Sequence, residues 1–83
     1  MIRVDFVFDN ARYYALYEVI PLDGVDEYYL ELRDRSLISE FGLDITFKRD
    51  RGGCLQPSAG DTPRKIALLQ TILRSIDQEA TSK

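Results

Sequence analysis

Residues 2–20 read IRVDFVFDNARYYALYEVI, and this stretch carries a complete β-hairpin pattern. Residues 2–8 alternate between apolar and mostly polar positions, which predicts a half-buried strand. Asp9 and Asn10 follow, and because both residue types tolerate positive φ they predict a tight turn. Residues 11–20 are rich in tyrosine and end in valine and isoleucine, so they predict the second strand.

A tight turn fixes the register of this hairpin, because it pairs Phe8 with Ala11 and therefore Phe6 with Tyr13. The inner face then holds Ile2, Val4, Phe6, Phe8, Tyr13, Ala15, Tyr17 and Val19. The outer face holds Arg3, Asp5, Val7, Arg12, Tyr14, Leu16, Glu18 and Ile20. A slip of one residue would send the side chains of the second strand to the opposite faces.

Breakers and alternation place the remaining strands. PLDGVD at 21–26 predicts a turn with Pro21 and Gly24 as breakers. Residues 27–34 and 43–49 predict two more strands, with these side chains facing inward: Tyr28, Leu30, Leu32, Leu43, Ile45 and Phe47. Residues 34–42 show no clear period and predict a long loop or an irregular strand end. RGG at 51–53 predicts a hairpin turn, followed by a short fifth strand within 53–56.

The C-terminal third of the chain predicts a helix over residues 63–79. Pro63 suits the first helical position, and Asp61 or Thr62 can cap the helix. Ile66, Leu69, Leu73 and Ile76 recur at helical spacing, and Leu68 and Ile72 widen the stripe. Strands first and a helix last predict an α+β fold, an antiparallel meander sheet of four to five strands with one C-terminal α-helix packed on one face.

The predicted core combines the inward side chains of the strands with the helix stripe. Its members are Ile2, Val4, Phe6, Tyr13, Tyr17, Leu30, Leu32, Ile45, Phe47, Ile66, Leu69, Leu73 and Ile76. With 83 residues, the chain predicts a single domain spanning 1–83 whose stability margin is small. A partner subunit is one way to add stability to so small a domain.

Composition argues against several classes of function. The chain has no histidine and one cysteine, Cys54, so it predicts no zinc site, no histidine-based catalytic triad and no cofactor. A single cysteine fits a reducing compartment, and the absence of a long apolar stretch predicts no membrane span, so we expect a cytoplasmic protein. The net charge of −3 argues against non-specific binding to nucleic acid.

Two patterns resemble sites but lack their defining residues, and two others remain open. DGVDE at 23–27 has oxygen ligands but not the spacing of a calcium loop. GGCLQPSAGDTPRK at 52–65 lacks the lysine and hydroxyl that a P-loop places after its last glycine. The helix N-terminus with Arg64 and Lys65 leaves a weak anion site as a prediction. Carboxylates at Asp5, Glu18 and 26–27 leave acid–base catalysis by a small enzyme as a remote alternative.

The outer sheet face is the strongest candidate for function, because a single helix covers only the inner face. The candidate interface residues are Val7, Arg12, Tyr14, Leu16, Tyr29 and Arg33. Aromatic residues and arginine are enriched at protein interfaces. The sequence therefore predicts a non-enzymatic protein–protein interaction module that associates with itself as a homodimer. The alternative is a domain that binds single-stranded nucleic acid or a small anion, because sheet tyrosines can stack on bases.

Overall fold

The computed structural model describes residues 1–56, 58 and 60–81. The elements in chain order are β1 (Ile2–Phe8), β2 (Ala11–Leu22), β3 (Val25–Leu32), α1 (Arg35–Phe41), β4 (Asp44–Asp50), β5 (Leu55–Gln56) and α2 (Pro63–Thr81). The strands form one antiparallel sheet in the order β1-β2-β3-β4-β5. The predicted α+β meander with its C-terminal helix is confirmed.

The first hairpin has the predicted register. Phe8 pairs with Ala11, Phe6 with Tyr13 and Val4 with Ala15. Asp9 and Asn10 have φ values of 52° and 62°, and positive φ at both turn positions matches the right-handed twist of the flanking strands. This turn chemistry decides which side chains of β1 and β2 face the core.

The second hairpin turns later than predicted, because β2 continues through Pro21 to Leu22 and only Asp23 and Gly24 form the turn. Pro21 pairs with Asp26, which is a non-hydrogen-bonded position next to the Leu22–Val25 pair. The missing N–H of Pro21 therefore points away from β3. Pro21 faces the β1 side of β2, where the pairing with β1 ends at Ile2–Tyr17. No ladder hydrogen bond is therefore lost at Pro21.

The loop predicted for 34–42 is wrong, because this segment contains α1. Asp34 caps the helix, and its carboxylate accepts hydrogen bonds from the backbone N–H groups of Ser36 (3.0 Å) and Leu37 (3.3 Å). Gly42 ends it with φ of 96° and donates its N–H to the Ile38 carbonyl at 2.8 Å. Leu37 is buried, and α1 thereby closes the core at the end of β3.

The core lies between the inner sheet face and α2. Its buried members are Val4, Phe6, Phe8, Ala15, Tyr17, Tyr28, Leu30, Leu32, Leu37, Ile45, Phe47, Leu68, Leu69, Ile72, Leu73 and Ile76. Thr62 caps α2, because its hydroxyl accepts the Lys65 N–H at 3.1 Å. The stripe of α2 is centred one residue from the prediction, since Leu68 and Ile72 are fully buried whereas Ile66 is only half-buried.

Two predicted inward residues are exposed instead. Ile2 is 56% exposed and Leu43 is 47% exposed. Arg64 joins the start of α2 to the β1–β2 turn and α1, and Arg49 joins the end of α2 to β4. The helix therefore leads away from Ile2 at the start of β1. Leu43 lies between α1 and β4, before the strand begins at Asp44, so the alternation of the strand does not extend to it. Tyr13, also predicted for the core, is half-buried.

Candidate protein interface

No element in the described part of the chain covers the outer sheet face along β1, β2 and β3, and the predicted interface residues lie on it. Val7, Tyr14 and Tyr29 are exposed, whereas Leu16 is half-buried. The register places Val7 beside Arg12, Leu16 between Arg3 and Glu31, and Tyr29 beside Glu18. The structure therefore joins the predicted residues into one continuous surface, with Leu16 between the two tyrosines.

Three arginines, Arg3, Arg12 and Arg33, surround Tyr14. We call these four residues the arginine zone. The guanidinium of Arg3 stacks over the Tyr14 ring at 4.1 Å from its centroid, a favourable cation–π geometry. Hydrogen bonding to Glu31 raises the pKa of Arg33, and the Tyr14 hydroxyl adds to that effect. Two carboxylates lie beside this zone: Asp5 forms an ion pair with Arg3, and Glu31 forms one with Arg33.

Tyr29 lies instead among carboxylates, in what we call the acidic zone: Glu18, Glu27 and Tyr29. The Tyr29 hydroxyl donates a hydrogen bond to Glu27, and Glu18 is its cross-strand neighbour. The hydrogen bond to Glu27 raises the pKa of Tyr29, with the charge of Glu18 adding to it. Lys48 borders this zone opposite Glu27 on β4. The two tyrosines of the face thus have surroundings of opposite charge.

Sequence reasoning missed parts of this surface for identifiable reasons. Leu22 is 46% exposed and extends the apolar part of the face beyond Ile20. Sequence reasoning leaves Leu22 out of the strand, because Pro21 predicts a turn there. Arg3 was assigned to the outer face but not to the interface, since only the side-chain conformation shows that it stacks on Tyr14. The division of the face into an arginine zone and an acidic zone becomes visible once the register is known.

The predicted anion site at the start of α2 consists of side chains that already have carboxylate partners. Arg64 pairs with Asp9 and Glu40, and Lys65 pairs with Asp61 at 3.1 Å. The guanidinium of Arg64 also lies 5.2 Å from the centroid of the Phe8 ring. Arg64 thereby joins α2 to the β1–β2 turn and to α1, whereas Lys65 forms a local pair at the start of α2, and an anion would have to compete with these carboxylates.

The carboxylates considered for acid–base chemistry do not come together. Asp5 lies opposite Tyr14, and Glu18 is four residues farther along β2, about 13 Å away at roughly 3.3 Å per residue. Asp26 and Glu27 are neighbours within β3 rather than in a turn, so their side chains point to opposite faces of the sheet.

Within the described residues, no cluster of three or more potential metal ligands occurs, and no helix is both long and apolar enough to cross a membrane. Comparison of the chain with protein-family models, with curated proteins and with solved structures found no match.

Proposed function

We propose that this protein is a non-enzymatic interaction module that associates with a second copy of itself through the outer sheet face. The observation that supports this most directly is the pairing of opposite charges on one uncovered surface, with Tyr14 among arginines and Tyr29 among glutamates. Such a surface carries positive charge on one side of a central apolar residue and negative charge on the other. It is therefore complementary to a second copy that is rotated by 180°. Such a surface suits an isologous dimer.

The centre of the proposed dimer is Leu16. Consider a two-fold axis that lies parallel to the sheet, runs perpendicular to β2 and crosses it at Leu16. This axis would place Tyr14 of one copy over Glu18 of the other. Arg33 would then lie over Tyr29 of the other copy, twice by symmetry, and Arg3, Leu16 and Glu31, which lie on the axis, would each meet their own counterparts. The molecule measures 35 × 34 × 20 Å, so its broad side has room for the roughly 800 Å² per partner of a stable interface.

The apolar part of this face fits the proposal. Ile20 and Leu22 are exposed near one end of the face and Val7, which pairs with Arg12, near the other, all on the same side as the two tyrosines, and burial of apolar side chains favours association. We further propose a cytoplasmic location, because the single cysteine, Cys54, is exposed as a free thiol and free thiols persist in a reducing compartment.

Light scattering over a range of protein concentrations tests the proposal. We expect the unaltered protein to be a dimer at high concentration and Tyr14→Asp to weaken association by about tenfold to a hundredfold, as for loss of an interface hot spot. Leu43→Asp is the matched control, because Leu43 is exposed but lies outside the outer face. A protein that is monomeric at every concentration would contradict the proposal, as would a dimer that both variants weaken equally.

The same face contains the elements of the alternative function, binding of single-stranded nucleic acid. An exposed tyrosine beside an arginine can stack on a base, but the acidic zone next to it would repel phosphates. Salt-dependent retardation of a labelled single strand, lost in Tyr14→Asp, would favour this alternative over self-association.

A further inference from the structure

A groove of about 540 Å³ runs between the free edge of β1 and one side of α2, and it shares Val7 and Arg12 with the candidate interface. Asp5 and Val7 line it from β1, Thr71 and Ser75 line it from α2, and Arg12 lies at its outer border. The floor includes the rings of Phe6 and Tyr13. A volume of this size lies within the range of ligand sites, about 300–1,000 Å³.

The backbone of β1 offers hydrogen-bonding groups to this groove. β1 is an edge strand, and the two-residue turn makes Phe8–Ala11 a hydrogen-bonded pair. Because ladder bonds alternate along an antiparallel pair, the even-numbered residues of β1 bond to β2. The N–H and C=O groups of Asp5 and Val7 therefore point away from β2, towards the groove, where an added strand could pair with them.

The charge of the groove selects the partner. Arg12 and Arg74 both line it, and neither makes an ion pair with any residue in the described part of the chain. By contrast, Arg3, Arg33, Arg49 and Arg64 each have a carboxylate partner. Ser75 and Thr71 also line the groove from α2, and the Thr71 hydroxyl, which donates to the Ala67 carbonyl at 2.9 Å, can still accept a hydrogen bond. Guanidinium groups without a partner bind carboxylates well.

We propose that this groove binds an acidic peptide segment in an extended conformation, which adds to β1 as a further strand. The peptide backbone pairs with Asp5 and Val7. Because side chains of a strand alternate between its two faces, acidic side chains on one face of the peptide reach Arg12 and those on the other reach Arg74. The whole protein carries a net charge of −3 and would repel an acidic peptide in general, so binding requires this local site.

The test uses fluorescence anisotropy with a short, labelled glutamate-rich peptide, its lysine-rich counterpart of equal length, and an N-methylated version of the glutamate-rich peptide. We expect binding of the first only. N-methylation removes the backbone donors that pair with the edge strand, and the lysine-rich peptide meets arginines of like charge. Equal binding of the two charge types, no binding of either, or undiminished binding of the N-methylated peptide would overturn the proposal.

Arg74→Gln separates this inference from the proposed function, because Arg74 lies on α2 and outside the outer sheet face. We expect it to weaken binding of the glutamate-rich peptide by about tenfold and to leave the mass measured by light scattering unchanged. Arg35→Gln is the charge-matched control, since Arg35 is exposed on α1. Equal weakening by both variants would show a general charge effect and contradict the groove as the site.

Discussion

The two faces of β2 belong to the same strand and have opposite surroundings. Ala15 and Tyr17 are buried beneath α2, whereas Tyr14 and Glu18 lie on the uncovered side. The inner residues determine whether the chain folds, because they account for the apolar area removed from water. The outer residues can change with little effect on folding and are therefore free to define a binding surface. Substitutions on each face should have separable effects.

The largest expected effect comes from truncating the inner face. Leu69 is 1% exposed, and Leu69→Ala should lower the free energy of unfolding by about 2–5 kcal/mol, because it leaves a cavity in the core. Ile20→Ala on the outer face should change it by less than about 0.5 kcal/mol. Urea unfolding in the Tyr14→Asp background, at a concentration where light scattering shows a monomer, measures both without a contribution from self-association. Similar losses from the two truncations would remove the distinction between the faces.

A smaller effect is expected where α2 is joined to the sheet. Arg49 donates hydrogen bonds to Asp77 and to the Gly53 carbonyl (2.8 Å), and it holds the pKa of Asp77 below its usual range. A carboxyl with a lowered pKa in the folded state stabilises the fold above its unfolded pKa, near 3.9. That contribution is lost as the pH falls through the folded pKa.

Asp77→Asn measures this contribution. We expect the unaltered protein to lose more stability than the variant between pH 6 and pH 2.5. The difference should stay below about 1 kcal/mol, because the Asp77 side chain is 52% exposed and solvent screens the pair. Chemical unfolding at the two pH values provides the comparison. Equal losses in the two proteins would show that the Arg49–Asp77 pair does not contribute to acid sensitivity.

The sequence allowed much of the inner face to be predicted, because alternation and turn chemistry are local. Asp9 and Asn10 determined the register of the first hairpin, and the stripe on α2 indicated the covering helix. The exposure of Ile2 could not be predicted, since alternation assigns a side chain to a face but not to the part of that face that the helix covers. The helix α1 was missed because its seven residues are too short for a clear period.

The outer face was predicted less completely. Its tyrosines and arginines followed from alternation, but their division into two zones depends on which strands are neighbours and on side-chain conformation. The stacking of Arg3 on Tyr14 and the hydrogen bond from Tyr29 to Glu27 are contacts of this kind. No spacing in the sequence indicates them.

Exchange of charge between the two zones tests self-association most directly. One variant carries Arg12→Glu with Arg33→Glu and is acidic in both zones, and a second carries Glu18→Lys with Glu27→Lys and is basic in both. Sedimentation of each variant alone should show monomers, because like charges oppose each other across the interface. An equimolar mixture should form heterodimers. A mixture that remains monomeric while the unaltered protein dimerises, or variants that still dimerise alone, would contradict the proposed interface.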